Sequence, residues 1–263
     1  DDTVRVTRQW RDTTIDQDFR LVADGLEIRT SVEWHAQDCL LRLECDLDVL
    51  APATTAETMY GFVQRPTAMN TSWEQAKFET CAHRWVHAAE PGYGITVLTP
   101  TTYGHQITRQ QRDGGGIYTR IGCSLLRSAA FPDPRRDAGR HEFVHVIAPG
   151  TGVADAVRMA DEQSFGVRAV LGAGPVGPAV EVTGDSVALE ALKIAEDGSG
   201  DVIVRIRETC GTASRASVQL CVPASAAECD LVERRLAEID AAAMRLRPFE
   251  VRTLRFRRGG GSW

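Results

Sequence analysis

Six histidines occur in the sequence, and four of them form two pairs with the same spacing. His83 and His87 are four residues apart, and so are His141 and His145. Imidazole is a common zinc ligand, with a Zn–N distance of about 2.0–2.1 Å, so each pair raises the question of a metal site. On a helix, this spacing would place both rings on one face. On a strand, the two rings would stand about 13 Å apart, too far for one ion.

A second group of candidate residues lies in the segment RPTAMNTSW, residues 65–73, where a proline interrupts the sequence pattern of strands. We expect a polar loop here, and loops on rigid β scaffolds often carry binding residues. Arg65 and Asn70 can hydrogen-bond to sugar hydroxyl groups, and Trp73 offers an apolar face to a pyranose ring. The alternative is a loop stabilised by its own side-chain-to-backbone hydrogen bonds, to which Asn, Thr and Ser are suited.

The composition excludes several classes of protein. The chain has 263 residues, of which 43% are hydrophobic and 25% charged, with a formal net charge of −6. These values are typical of a globular protein and indicate neither a nucleic-acid partner nor a membrane partner. No apolar run approaches the roughly 20 residues of a membrane span. The run Gly114–Gly116 is not a phosphate loop, because the Gly-Lys-Ser/Thr continuation is missing.

The seven cysteines show no Cys-x-x-Cys spacing, and their number is odd. A disulfide framework would need paired cysteines in an oxidising compartment. We therefore expect free thiols and a cytoplasmic location.

Strands with period-two alternation must position these candidate residues. Residues 26–34 and 41–49 alternate in this way, and the short polar connection at Gln37 and Asp38 predicts that they form a hairpin. Residues 117–125 also alternate, and residues 143–147 are apolar almost throughout. One helix is expected over residues 151–163, with Thr151 as its N-terminal cap.

The Gly- and Pro-rich segment Leu171–Pro178 predicts a domain boundary. Further strands are expected after it, at residues 180–182, 187–194, 202–206, 218–222 and 251–256. We therefore predict a first domain over residues 1–172, a smaller β-sandwich over 173–258 and a flexible tail over 259–263.

Several long segments resemble one enzyme family. The stretch FVQRPTAMNTSWEQAKFETCAHRWVHAAEPGYGITVL, from Phe62, and the stretch SLLRSAAFPDPRRDAGRHEF, from Ser124, are similar to segments of family 38 α-mannosidases. LKIAEDGSGDVIVRIRE and LRPFEVRTLRF resemble the C-terminal sandwich of the same family. The resemblance runs from about residue 4 to residue 257.

This resemblance implies an all-β fold, namely part of a galactose-mutarotase-like super-sandwich followed by a smaller β-sandwich. It implies that the chain is the non-catalytic C-terminal region of a retaining α-mannosidase and contains no catalytic residue or metal site. Zinc and the nucleophile would belong to an N-terminal catalytic domain outside this chain. That domain and an α-mannoside are the expected partners, with Arg65, Asn70 and Trp73 as the candidates for contacting them.

The resemblance also bears on the remaining candidate side chains. It favours a strand near His83 and His87, so structural histidines are expected, although a metal site across two strands stays open. Retaining hydrolysis needs two carboxyl groups about 5–5.5 Å apart. Four carboxylates in the family-like segments are alternatives for that role, but the resemblance places the chemistry elsewhere: Glu74, Glu79, Glu90 and Glu142.

Two other functions stay open. A carbohydrate-binding module would bind mannosides as an isolated chain, and a structural module would instead form a homo-oligomer. Exposure of Trp73 and Trp85 would separate these hypotheses, because sugar-binding tryptophans lie at the surface.

Overall fold

The computed structural model describes residues 2–166, 169, 171–172 and 177–258. The chain divides into two compact units, residues 1–166 and 167–263. Strands dominate both units, which confirms the predicted all-β class. The predicted boundary segment Leu171–Pro178 includes residues 173–176, and the predicted tail covers 259–263. Both ranges lie outside the described residues, so the domain bounds stay a prediction.

The described part of the first unit contains twelve strands and two helices. The strands are Thr3–Trp10 (β1), Thr13–Val22 (β2), Gly25–Trp34 (β3), Leu40–Leu47 (β4), Ala53–Thr58 (β5), Gly61–Pro66 (β6), Thr80–Cys81 (β7), Trp85–Glu90 (β8), Tyr93–Leu98 (β9), Gly104–Gln111 (β10), Ile117–Arg127 (β11) and Gly139–Pro149 (β12). The helices are Ser72–Ala76 (α1) and Val153–Phe165 (α2). Neither helix is long and apolar enough to cross a membrane.

Two antiparallel sheets form the first unit. The larger has eight strands in the order β1-β2-β3-β12-β9-β8-β5-β6, and the smaller has four in the order β4-β11-β10-β7. Alternating side chains of both sheets meet in a shared core, as expected for a sandwich. The members of its main cluster come from β4, β5, β8, β9 and β11 and the segments next to them: Cys45, Leu47, Val49, Ala51, Ala56, Ala82, Val86, Ala88, Ile95, Val97, Ile121 and Cys123.

The second face of the eight-stranded sheet is covered by α2. Trp85, Leu98 and Val146 on this face pack against Ala156 and Met159 of the helix. Double coverage explains why β8, β9 and much of β12 are buried almost continuously, without the alternation of a half-buried strand.

A buried ion pair attaches α2 to this face. Arg84, just before β8, donates through Nε to Glu57 Oε2 at 2.9 Å and through Nη1 to Asp161 Oδ1 of α2 at 2.7 Å. The Glu57 carboxylate is almost fully buried, and it also accepts the backbone N–H of Arg84 at 3.0 Å. One guanidinium therefore joins β5, β8 and α2.

The described part of the second unit contains eight strands. These are Val180–Thr183 (β13), Val187–Ile194 (β14), Val202–Glu208 (β15), Ser214–Leu220 (β16), Ala224–Cys229 (β17), Arg235–Glu238 (β18), Met244–Leu246 (β19) and Val251–Arg258 (β20). They form a three-stranded sheet, β13-β16-β19, and a five-stranded sheet, β14-β15-β20-β17-β18. Apolar side chains of both sheets share one core cluster, so this unit is also a sandwich.

A buried carboxylate fixes the end of β15. Glu208 is fully buried, and it accepts the backbone N–H groups of Cys210, Gly211 and Phe249 at 2.8–2.9 Å. Burial alone would raise the pKa of Glu208, but the hydrogen bonds from Phe249 and Cys210 outweigh it and hold the pKa below its ordinary value. The charged form therefore joins two loops.

The predicted hairpin of residues 26–34 and 41–49 is wrong. β3 pairs with β2 and β12 in the larger sheet, whereas β4 pairs with β11 in the smaller one. The connection crosses between the sheets, and Asp38 turns there with a φ of 51° while its N–H donates to Ser128 O. Alternation shows which face of a strand is buried, but it does not identify the partner strand.

The predicted cap of α2 is also wrong, by one residue. Gly152 is the N-cap, and its backbone N–H donates to Asp155 Oδ2 at 2.9 Å. The hydroxyl of Thr151 instead donates to Ala148 O at 3.0 Å and lies 2.8 Å from Thr96 Oγ1. In addition, the strand predicted at 218–222 runs over Ser214–Leu220.

The ion pair that attaches α2 gives a stability prediction. Substitution of Glu57 by Ala leaves the partly buried Arg84 with Asp161 but without its main partner, and it should lower the free energy of unfolding by about 1–3 kcal/mol. Urea unfolding followed by the fluorescence of Trp85, which packs against α2, measures this change. The control is R158A, since Arg158 is half-exposed and pairs with the exposed Glu162, so it should cost no more than about 0.5 kcal/mol. Equal effects of the two variants would contradict the prediction.

Candidate functional site

The segment RPTAMNTSW lies at one open side of the first sandwich. Arg65 and Pro66 are the last residues of β6, the edge strand of the larger sheet, and residues 67–71 lead from it into α1. Pro66 is the last residue of this edge strand. At such a position, the missing N–H of proline removes no hydrogen bond between the strands of the core. The predicted polar loop is therefore only partly correct, because Ser72 to Ala76 form a short helix.

A capping box forms α1. Thr71 Oγ1 accepts the backbone N–H of Glu74 at 3.2 Å, and Glu74 Oε2 accepts the N–H groups of Asn70 and Thr71 at 2.7 and 3.0 Å. The N–H groups of Asn70 and Thr71 hold the pKa of Glu74 below its ordinary value, because they stabilise the charged carboxylate. Glu74 therefore serves the local backbone.

A cavity of about 220 Å³ lies between this segment and the edges of both sheets. Val63 of β6 and Ile107 of β10 form its apolar side, and both also pack against the main core cluster. Arg65, Glu74 and Lys77 line it with charge. The cavity therefore lies at the edge of the sandwich core and has charged residues in its lining.

The three predicted site residues occupy different places around this cavity. Arg65 lines the cavity, and its Nη1 is buried with no hydrogen-bond partner among the described residues. Asn70 lies on the exposed side of the same turn, and Trp73 is 80% exposed on α1. Trp85, by contrast, is only 1% exposed and belongs to the core. One of the two tryptophans is therefore available to a partner.

Two further exposed apolar side chains lie near Trp73 in the sequence. Met69 and Phe78 flank α1 in the sequence and are 41% and 62% exposed. We call Met69, Trp73 and Phe78, together with the Arg65 side of the cavity, the α1 surface. Exposed apolar side chains beside a charged cavity are typical of a surface that contacts another molecule.

The four histidines that were considered as metal ligands lie in separate structural environments. His83 stacks on Tyr103 and precedes β8, so the strand expected near His83 and His87 contains only the second of them. His87 lies in β8 with Nδ1 3.1 Å from Thr96 Oγ1. His141 donates from Nε2 to Asp137 O at 2.8 Å, and His145 is fully buried. Over the residues that the structure describes, no three His, Cys, Asp or Glu side chains form a group that could hold a metal ion.

The four candidate carboxylates are also distributed over separate environments. Glu74 caps α1, Glu90 accepts the N–H of Leu50 at 2.9 Å, and Glu142 accepts from Arg140 at 2.8 Å on the surface. Glu79 packs over Gly104, where a Cβ atom would collide with its carboxylate.

Sequence reasoning missed one residue next to the site. His105 of β10 is fully buried, and its backbone C=O accepts the hydroxyl of Thr80, which lines the cavity, at 3.3 Å. The sequence contained a signal for this residue, because His105 and Ile107 are two positions apart and therefore share one face of a strand.

Comparison with known proteins identifies the class. Residues 1–135 match the glycosyl hydrolases family 38 C-terminal domain, and residues 186–254 match the glycosyl hydrolases family 38 C-terminal beta sandwich domain. The chain belongs to glycosyl hydrolase family 38, and the domains matched are C-terminal domains of that family. This confirms the resemblance seen in the sequence.

Individual relatives are α-mannosidases. The chain is 32% identical to Alpha-mannosidase 2C1 of Homo sapiens over 219 residues, which are 80% of this chain and 20% of that protein. It is 29% identical to Alpha-mannosidase of Saccharomyces cerevisiae, covering 88% of this chain and 24% of that protein. The chain thus spans about a fifth to a quarter of these relatives.

A solved structure has the same fold. An alpha-mannosidase from Enterococcus faecalis V583 superimposes with a TM-score of 0.74 at 18% identity, covering 93% of this chain and 29% of that one.

The capping box gives a prediction about α1. In E74A, the amides of Asn70 and Thr71 lose a charged acceptor, so their hydrogen exchange should accelerate by about tenfold. Exchange measured by NMR tests this. Q75A is the control, because Gln75 is exposed on the same helix, and it should leave both rates within about twofold. Unchanged rates in E74A would show that the carboxylate does not hold this turn.

Proposed function

We propose that this chain is the non-catalytic C-terminal region of a retaining α-mannosidase that acts on α-linked mannosides. The observation that carries the proposal is the pair of family matches, since both are to C-terminal domains and together they occupy most of the chain. Relatives about four times as long supply the context, because their names state α-mannosidase activity. The proposed domains are residues 1–172 and 173–258, each closed by its own core.

The zinc ion that the resemblance implies would belong to a catalytic domain outside this chain. The residues present do not fit it: the histidines are dispersed, and no group of three potential ligands forms among the described residues. No catalytic step is therefore assigned to a side chain of this region. Its contribution is to support the catalytic domain.

The α1 surface is the proposed contact with that domain. It combines the exposed side chains of Met69, Trp73 and Phe78 with Arg65, whose buried Nη1 has an N–H to donate. A partner with an acceptor oxygen would satisfy that N–H and cover the apolar side chains. Asn70, on the exposed side of the turn, would lie at the rim of the same contact. A sugar hydroxyl group at the edge of the catalytic pocket could supply the same oxygen.

A cytoplasmic location is also proposed. All seven cysteines are free thiols, two of them exposed, as expected for a reducing compartment.

The isolated chain should show no α-mannosidase activity. We expect no hydrolysis of an aryl α-mannoside above the uncatalysed rate, with zinc added, because the paired carboxyl groups of a retaining site belong elsewhere. A full-length family 38 α-mannosidase is the positive control in the same assay. Zinc-dependent hydrolysis by the isolated chain would overturn the proposal.

The contact proposed for the α1 surface has its own test. W73A should leave the unfolding midpoint of the isolated chain unchanged, because the side chain is 80% exposed, but it should lower the midpoint of the protein expressed with its upstream coding sequence. Q75A, on the same helix, should change neither. A Trp73 effect that is equal in both proteins would argue against a domain contact.

A carbohydrate-binding module is the second candidate, and the exposure of Trp73 beside a polar cavity favours it. Titration of the isolated chain with methyl α-mannoside, followed by tryptophan fluorescence, decides between the two. Saturable quenching that W73A abolishes would support the module, whereas no saturation is expected for a domain contact.

A further inference from the structure

Two fully buried histidines lie inside the first sandwich, one from each sheet. His105 belongs to β10 of the four-stranded sheet and His145 to β12 of the eight-stranded sheet, and both are 0% exposed. His145 alternates with Phe143 and Ile147, which pack in the two core clusters between the sheets. The imidazoles therefore occupy the interior of the sandwich.

Thr99 is a neighbour of both histidines. The register that pairs Val146 with Leu98 makes His145 and Thr99 neighbours at the next position. Thr99 Oγ1 also lies 3.2 Å from Nε2 of His105. These three polar side chains form a layer, which we call the histidine layer.

The two imidazoles of the layer differ in their hydrogen bonds. Thr99 Oγ1 donates to Thr102 O at 3.0 Å, so both ring nitrogens of His105 face oxygen acceptors. Nδ1 of His105 lies 3.1 Å from Tyr103 O, which can only accept, so Nδ1 carries a proton. Neither ring nitrogen of His145 has a hydrogen-bond partner in the part of the chain that the structure describes. A proton added to His145 would create a buried charge without a carboxylate beside it.

The charged groups around the layer do not compensate for such a proton. Glu79 favours the charged form of His105, but Arg65 opposes it, and the titratable group that acts on His145 is His105 itself. Cys123 lies opposite His105 on β11, and burial raises the pKa of its thiol, so it stays uncharged.

We propose that the histidine layer makes the first unit sensitive to acid. As the pH falls, the opened form of the unit binds protons that the buried imidazoles do not accept, so the unit loosens. The layer lies directly behind the α1 surface, because Thr80 of the cavity donates to the backbone C=O of His105. Mild acid would thus weaken this side of the unit.

The direction of the effect follows from proton linkage. Burial lowers the pKa of His105 and of His145 to about 4, against 6.5 in the unfolded chain. Between these values the unfolded chain binds more protons, so stability is complete above pH 6.5 and is lost as the pH falls toward 4. At pH 5, each imidazole raises the unfolding equilibrium constant by a factor of about 30.

Urea unfolding of the 263-residue chain at pH 7.5 and pH 5.0 tests the proposal, with the blue-shifted fluorescence of the buried Trp34 and Trp85 as the signal for the first unit. In H145L and H105Q, the increase of the unfolding constant between the two pH values should be smaller than in the parent by a factor of about 30. H35L is the control, since His35 is exposed, and it should keep the parental increase. Carboxylates that titrate near pH 5 affect all four proteins equally, so they cancel in this comparison.

The same increase in H145L and H105Q as in the parent would overturn the proposal. Should either variant fail to fold, NMR titration of the parent decides instead. Of the six histidines, the two of the layer should show no imidazole titration in the folded protein above pH 5. Titration of both near pH 6.5 would overturn the proposal just as well.

Discussion

The central strands of the eight-stranded sheet are buried on both faces, and the arrangement of the whole first unit follows from this constraint. Each face needs its own cover, because an antiparallel strand with two apolar faces cannot be left in water. The four-stranded sheet covers one face and α2 the other. The guanidinium of Arg84 keeps the helix in position, since it binds a carboxylate of the sheet and one of the helix at once.

Strand positions could be predicted from the sequence more reliably than strand pairing. Alternation located β3, β4 and β11, because each buries one row of side chains. It did not show that β4 leaves β3 and pairs with β11, since that choice depends on contacts between distant residues. Pairing of neighbours in sequence is common, but here the second sheet had to be built from strands that are separated in the chain.

The short elements of the site show a different limit. Thr71 and Glu74 have the spacing of a capping box, so α1 could have been predicted from the sequence. The position of Arg65 at the cavity could not have been predicted, because the cavity forms between β6 and β10. In the sequence, the start of β10 lies 38 residues after the end of β6. The residue types singled out the segment as a candidate, while only the fold separates the cavity-lining Arg65 from the exposed Trp73. The role of these residues stays a prediction.

The proline at the end of β6 has a consequence for how this region can associate. An edge strand with free N–H and C=O groups is a template for adding a strand from another chain, and long open edges promote aggregation. Pro66 removes a donor from this edge, and the turn leading to α1 follows it immediately. A strand added to this edge would therefore find no N–H donor at Pro66, so pairing with the edge is limited to the short stretch that precedes the proline.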